Sequence, residues 1–408
     1  MNFKNINGTN IVYENIEDTP RCAIYLYFST DKKLVFDGVN DILGSLLLQG
    51  TDEKNAEQIA SELEKIGAEV NIDSTQDYLK VSLICLNEDV NEALDLVCHF
   101  MERSNFKTFD KEVFKFKGEV SALLDAPARK ASDAFYKELY KGHKYGVTNT
   151  KILEEIDNMT VEHIKEYYSN LLSGRKIISV AATMSDEEEF INMIASKLPF
   201  MKSDSTTTPI TTSLPHTKNG VFKITKNDAK QAQIFQGWLV EGLNSKDCAA
   251  LSVLNNVLGA SGLSSRLFVE LRDKKGLAYT VRSSYRTLKE GAAFVLYIGT
   301  EPSNIKKSLD GFKYEIQRVI DEPPVGEELK GAIESYIGKF KYFYTQTNSQ
   351  IARTNGWNWI TGLDFDYNQK LLSEIKNVKT EDVVNVAKKY LQKEPVTVVL
   401  APDKYLNF

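Results

Sequence analysis

The chain has 408 residues, of which 42% are apolar and 26% charged, and carries a net charge of −6. Its length suits two domains of about 200 residues better than one ordinary core. The acidic balance offers no basic field for nucleic acid or an anionic lipid surface, and no apolar run reaches the ~18 residues of a transmembrane helix.

In chain order, the first twenty residues lack the apolar stretch of a secretory signal. A cytoplasmic protein is expected, or a periplasmic one if a leader has been removed. Ser61 to Ile66 reads as a helix end, Gly67 as a turn and Ala68 onward as an alternating strand. The spacing then predicts a strand over Tyr78–Cys85, an amphipathic helix over Val90–Met101 and a further helix over 111–124. Thr160 is placed to N-cap a helix through Leu172, with acidic help in its first turn. The β-branched run Lys176–Ala182 follows as a strand.

The Ser-, Thr- and Pro-rich stretch 202–220 reads as a linker. Beyond it the pattern returns. Val269–Arg272 ends a helix, Gly276 turns the chain, and an alternating strand starts near Tyr279. A strand over Ala292–Ile298 and a helix over Asn304–Ile320 come next. Thr380 is placed to N-cap a helix through Leu391, and a strand runs over Pro395–Leu400. The chain is therefore an internal duplication with a period of about 210 residues. It predicts an α+β fold of two homologous domains, 1–201 and 221–408, each an antiparallel-rich sheet covered by helices.

Cys22, Cys85, Cys98 and Cys248 show no CxxC spacing and sit among apolar or small residues, which predicts buried free thiols. His99, His143, His163 and His216 are equally dispersed, and no two share the i, i+4 spacing that offers two imidazoles to one metal. Trp357, Trp359 and Tyr367 read as core packing. No GxSxG occurs.

The run Ser264 to Tyr285, SSRLFVELRDKKGLAYTVRSSY, places Arg272 seven residues before Tyr279 across a helix-to-strand turn. It resembles the carboxy-terminal half-site of the insulinase/pitrilysin-type zinc peptidases, and in particular their two-subunit branch of processing peptidases. The likeness extends over essentially the whole chain. His143-Lys144-Tyr145-Gly146 resembles the family's HPYG turn, and Pro324 to Leu329 its PVSEEEL helix start. The resemblance implies that Arg272 and Tyr279 bind the substrate peptide beside zinc, and that the Gly-rich loop with Gly259, Ser261 and Gly262 lies against that peptide.

The amino-terminal half departs from the family. Aligned on Gly50-Thr51, the family's HxxEH falls on Asp41-Ile42-Leu43-Gly44-Ser45. HxxEH presents two imidazoles to zinc from one helical turn, with a Glu between them to activate water. Here Asp41, Gly44 and Ser45 replace both ligands and the base, so no metal is expected in this chain. Glu112 and Glu119 stand near the position of the third ligand and read as surface carboxylates. His99-Phe100-Met101-Glu102-Arg103 is a decoy in the wrong part of the repeat.

The resemblance thus implies a non-metal-binding subunit. A homologous HxxEH-bearing partner would hold zinc, peptides or unfolded chains would be substrates, and a homodimer is the option in the partner's absence. The alternative is a catalytically inert scaffold subunit of the same family.

Overall fold

A computed structural model describes residues 1–30, 36–203 and 219–408; most of the 202–220 stretch lies outside the described residues. Two compact units emerge. One comprises Met1–Glu119, Lys151–Thr211 and Lys341–Phe365; the other comprises Val120–Thr150, Thr212–Phe340 and Asp366–Phe408.

The first unit is built on strands β1 (Asn2–Ile6), β2 (Thr9–Asn15), β3 (Arg21–Ser29), β4 (Glu69–Ser74), β5 (Tyr78–Leu86) and β6 (Lys176–Ala182). They lie in the order β1-β2-β6-β3-β5-β4, antiparallel except for the parallel pair β2–β6. The second holds β7 (Gly220–Thr225), β8 (Ala232–Val240), β9 (Ala278–Leu288), β10 (Gly291–Thr300) and β11 (Val396–Ala401). Their order is β7-β11-β8-β10-β9, again with one parallel pair, β7–β11. Strand for strand this repeats β2-β6-β3-β5-β4, so the duplicated α+β architecture is present.

Strand β3 is buried from Cys22 to Ser29 because both of its faces are covered. On one face Ile24, Leu26 and Phe28 pack with the helices Val39–Leu46, Val90–Arg103 and Val161–Leu172. On the other, Tyr25 and Tyr27 meet the helix Asn348–Ile360. Tyr27 donates its hydroxyl to the Arg353 carbonyl at 2.8 Å and Ser179 donates to that of Ala352 at 2.7 Å. Gly356 allows this approach, since a Cβ there would sit 2.3 Å from the Tyr27 ring. In the second unit the helix Pro127–Leu139 plays the same part, with Phe135 packed on Gly237 of β8. The aromatics of 357–367 are packing residues: Trp357 and Trp359 lie against the Tyr25–Tyr27 face and Tyr367 against the second unit's core.

Thr160 caps its helix as expected, accepting from the His163 N–H. Thr380 does not. It is the first helical residue, its hydroxyl donates to the Pro324 carbonyl at 2.9 Å, and the Asp382 carboxylate accepts from the Lys379 N–H at 2.8 Å. With the threonine hydroxyl committed elsewhere, the acid in the first turn takes over the cap.

All four cysteines are free, but only Cys22, Cys85 and Cys248 are buried. Cys98 is half-buried, because its helix position borders solvent beside Glu102. Burial, aided by the Glu102 charge, pushes its thiol up to about 11. Little reactive thiolate therefore exists at neutral pH. Native protein treated with a maleimide is expected to label slowly and at Cys98 alone, with the other three reacting only on unfolding. Mass-spectrometric peptide mapping checks this.

Candidate functional site

Two local irregularities build the site. The helix that carries Arg272 is a π-helical turn, Phe268–Lys274, a widened form that often marks functional positions. It closes on Gly276, whose φ of +59° suits glycine. The second irregularity is in the next strand. In the β9–β10 ladder Gly299 faces Thr280 while Thr300 faces Ala278, so Tyr279 is the extra residue of a β-bulge. A bulge re-aims the side chain it carries, and Tyr279 is 78% exposed.

The two side chains meet. The Arg272 guanidinium lies 4.6 Å from the Tyr279 ring centroid and 4.4 Å from that of Phe268, a stack that holds the fork in place by cation–π attraction. Nearby Glu270 is taken by Lys274 and Lys275, each at 3.2 Å. No carboxylate among the described residues lies within ion-pair distance of Arg272. The result is a charged five-donor fork beside a phenolic hydroxyl, suited to an oxygen that carries or develops negative charge. Phe268 was not singled out from the sequence, although its i, i+4 spacing to Arg272 on a helix is the signal for such a stack.

The Gly-rich loop divides. Gly259 is buried in the π-helical turn Asn256–Ala260, and a Cβ there would lie 2.3 Å from the Ser283 nitrogen of β9. Beside it the Ser283 hydroxyl donates to Asn255, at 2.7 Å to the side-chain oxygen. Gly262 instead sits at φ +85° with open space where a side chain would be, and Ser261 beside it is half-buried. The loop thus anchors the strand that carries Tyr279.

The family's metal position falls on the helix Val39–Leu46. Asp41 and Ser45 share a face, but the Ser45 hydroxyl is donated to the Asp41 backbone carbonyl at 3.3 Å. Asp41 accepts a hydrogen bond from Ser74 of β4. A Cβ added at Gly44 would lie at the ordinary contact distance of 3.5 Å from Ile72. One carboxylate, one absent side chain and one committed hydroxyl do not fit the zinc that the family pattern implies. Glu112 is buried and Glu119 exposed beside Lys115. Among the described residues no cluster of three His, Cys, Asp or Glu is placed to hold a metal. His99 instead bonds Thr51 at 3.0 Å, and Arg103 pairs with Glu53.

Burial raises the Asp41 carboxyl above its ordinary 3.8, with the Ser74 bond opposing. The folded state therefore favours the protonated acid. That favourable contribution is complete below pH 3.8 and is lost as pH rises through the folded value. Asp41→Asn is expected to raise the thermal midpoint at pH 7, with the gain shrinking to nothing in acid; melting curves across pH check it.

No helix among the described residues is long and apolar enough to cross a membrane. Residues 10–151 match the insulinase (peptidase family M16) domain, and 158–336 match the peptidase M16 inactive domain. The chain is 26% identical over 406 residues to the uncharacterized zinc protease YmxG of Bacillus subtilis, spanning 97% of each. It is 23% identical over 410 residues to the non-peptidase homolog YmxG of Helicobacter pylori, spanning 97% of this chain and 92% of that one. Among solved structures, a peptidase M16 inactive domain from Pseudomonas fluorescens superposes with a TM-score of 0.87 at 20% identity, covering 98% of both chains. A protease from Helicobacter pylori does so with 0.88 at 19% identity, covering 98% of this chain and 99% of that one. These likenesses show the fold. Matched in turn by two domains of one family, the chain belongs to the insulinase family of peptidases, M16, as a member whose own metal-binding pattern is gone.

Proposed function

We propose that this chain is the non-metal-binding subunit of a two-chain zinc peptidase, whose homologous partner carries HxxEH and holds the ion. In this reading residues 1–201 and 221–408 are the two family halves, and the second lends Arg272 and Tyr279 to the partner's substrate. Water attacking a peptide carbonyl builds negative charge on its oxygen, and fixed donors aimed there lower the barrier. The observation that carries the reading is the guanidinium of Arg272, stacked between Phe268 and Tyr279 with no carboxylate among the described residues to neutralise it. A merely structural arginine on a helix rich in acids and lysines would be expected to pair, as Lys274 does with Glu270. Gly262 leaves open space where a side chain would be, so its backbone is open to a peptide.

Mixing the purified chain with an HxxEH-bearing homologue from the same source tests this. Cleavage of an unfolded peptide is expected only in the mixture, saturating at equal amounts of the two chains. Undiminished cleavage by the homologue alone, unaffected by this chain, would instead favour the scaffold role.

A further inference from the structure

Two of the free thiols face each other. Cys22 on β3 lies directly opposite Cys85 on β5, in an antiparallel ladder that keeps one register from Arg21 and Leu86 to Ser29 and Tyr78. The backbone bonds just beyond each end fix which kind of pair this is. Asn87 donates its N–H to the Pro20 carbonyl at 2.8 Å, and Thr30 donates to that of Asp77 at 3.1 Å. Hydrogen-bonded pairs alternate along such a ladder, so Cys22 and Cys85 form one of them. Opposed residues share a face, and this one packs under helices, leaving Cys22 0% and Cys85 3% exposed. The pair nevertheless stands at one end of its strands, with Cys22 next to exposed Arg21 and Cys85 next to exposed Leu86. The two thiols are also hydrogen-bonded to each other. Donation from Cys22 holds the Cys85 thiol below its ordinary value, against the opposing effects of burial and of the Asp89 charge.

We infer that Cys22 and Cys85 are a site of reversible oxidation, joined by peroxide as a cross-strand disulfide and separated again by small thiols. The Cys85 thiolate sulfur attacks one peroxide oxygen, the O–O bond breaks, and the hydroxide released takes up the thiol's proton to become water. Cys85 is then a sulfenic acid. The Cys22 sulfur attacks it, the S–S bond forms, the S–O bond breaks, and the hydroxyl leaves as a second water with the Cys22 proton. Two thiols are oxidised and one peroxide is reduced. The Cα atoms of a hydrogen-bonded pair stand about 5.5 Å apart, within the range that a disulfide bridges. Their Cβ atoms stand about 5 Å apart, whereas a relaxed disulfide holds them at about 4 Å. Closing the bond therefore draws the strands together and leaves it easily reduced, as a switch and not a permanent staple. This chemistry belongs to the first unit's sheet and does not depend on the use made of Arg272.

The test uses the full chain, reduced, freed of reductant and exposed to hydrogen peroxide while native. Catalase stops the reaction, N-ethylmaleimide in denaturant blocks the remaining thiols, and non-reducing peptide mapping reads the products. A peptide pair joined through Cys22 and Cys85 is expected, two hydrogens lighter than the free peptides, with Cys98 and Cys248 still open to the maleimide. It is expected to form several-fold faster than any oxidation at the half-buried Cys98, and to disappear on treatment with reduced glutathione. In Cys22→Ser the reaction is expected to stop at a sulfenic acid on Cys85, trapped by dimedone, whereas Cys85→Ser is expected to leave Cys22 unreacted. Circular dichroism confirms the fold of each variant, and the unsubstituted chain decides the matter whether or not they fold. Peroxide that leaves both thiols open to the maleimide, or that joins either of them to Cys98 or Cys248, would overturn the inference. So would a bond between Cys22 and Cys85 that glutathione does not reduce.

Discussion

Arg272→Ala is expected to reduce kcat/KM of the mixed complex about 10²–10³-fold, the usual loss when one donor to a developing oxyanion is removed. The side chain is half-exposed and makes no ion pair among the described residues, so its removal leaves the fold in place. Arg272→Lys is expected to recover only a little of the activity. An ammonium is a point charge on a flexible stem, with neither the planar fork nor the stacking between Phe268 and Tyr279. Tyr279→Phe keeps the ring that supports the guanidinium and removes one donor, so its loss is expected to be smaller than that of the alanine variant. Steady-state cleavage by matched mixtures, with unchanged melting temperatures, measures all three. A mixture containing Arg272→Ala that cleaves at the wild-type rate would remove the basis of the proposal.

Gly259→Ala is expected to destabilise the second unit by about 1–3 kcal/mol, the typical cost of forcing a methyl into a packed interior. The methyl would meet the Ser283 nitrogen at 2.3 Å and its hydroxyl oxygen at 2.8 Å. Backbone cannot yield as a flexible side chain does, so the turn Asn256–Ala260 must lift from β9 and strain the Ser283–Asn255 bonds. Because β9 carries Tyr279, the same variant is expected to lower activity as well. Gly262→Ala meets no neighbouring atom and is strained only through its positive φ, so it separates the two glycines. Urea unfolding of both variants decides whether Gly259 acts through packing.

The duplication was legible because it is written in local chemistry. A helix end, a glycine turn and an alternating strand recur at Gly67 and Gly276, and both turns adopt the positive φ that glycine permits. The strand Lys176–Ala182 and the Thr160 cap were equally local signals. Less legible was anything that depends on what packs across a sheet. The helix Asn348–Ile360 covers strands more than 150 residues away, through Gly356 on Tyr27, and no period announces it. Thr380 looked like a cap until its hydroxyl found the Pro324 carbonyl. The Arg272–Tyr279 spacing was readable. The bulge that turns Tyr279 outward is a register shift against β10, which only the paired strand defines.

The most direct measurement of the central claim is the structure of this chain paired with an HxxEH homologue, holding an uncleaved peptide on an inactivated partner. The account predicts the Arg272 guanidinium and the Tyr279 hydroxyl within about 2.7–3.1 Å of the scissile carbonyl oxygen, with the metal bound wholly by the other chain. A peptide whose reacting carbonyl lies out of reach of both groups, or a metal ion ligated through residues 41–45, would contradict it.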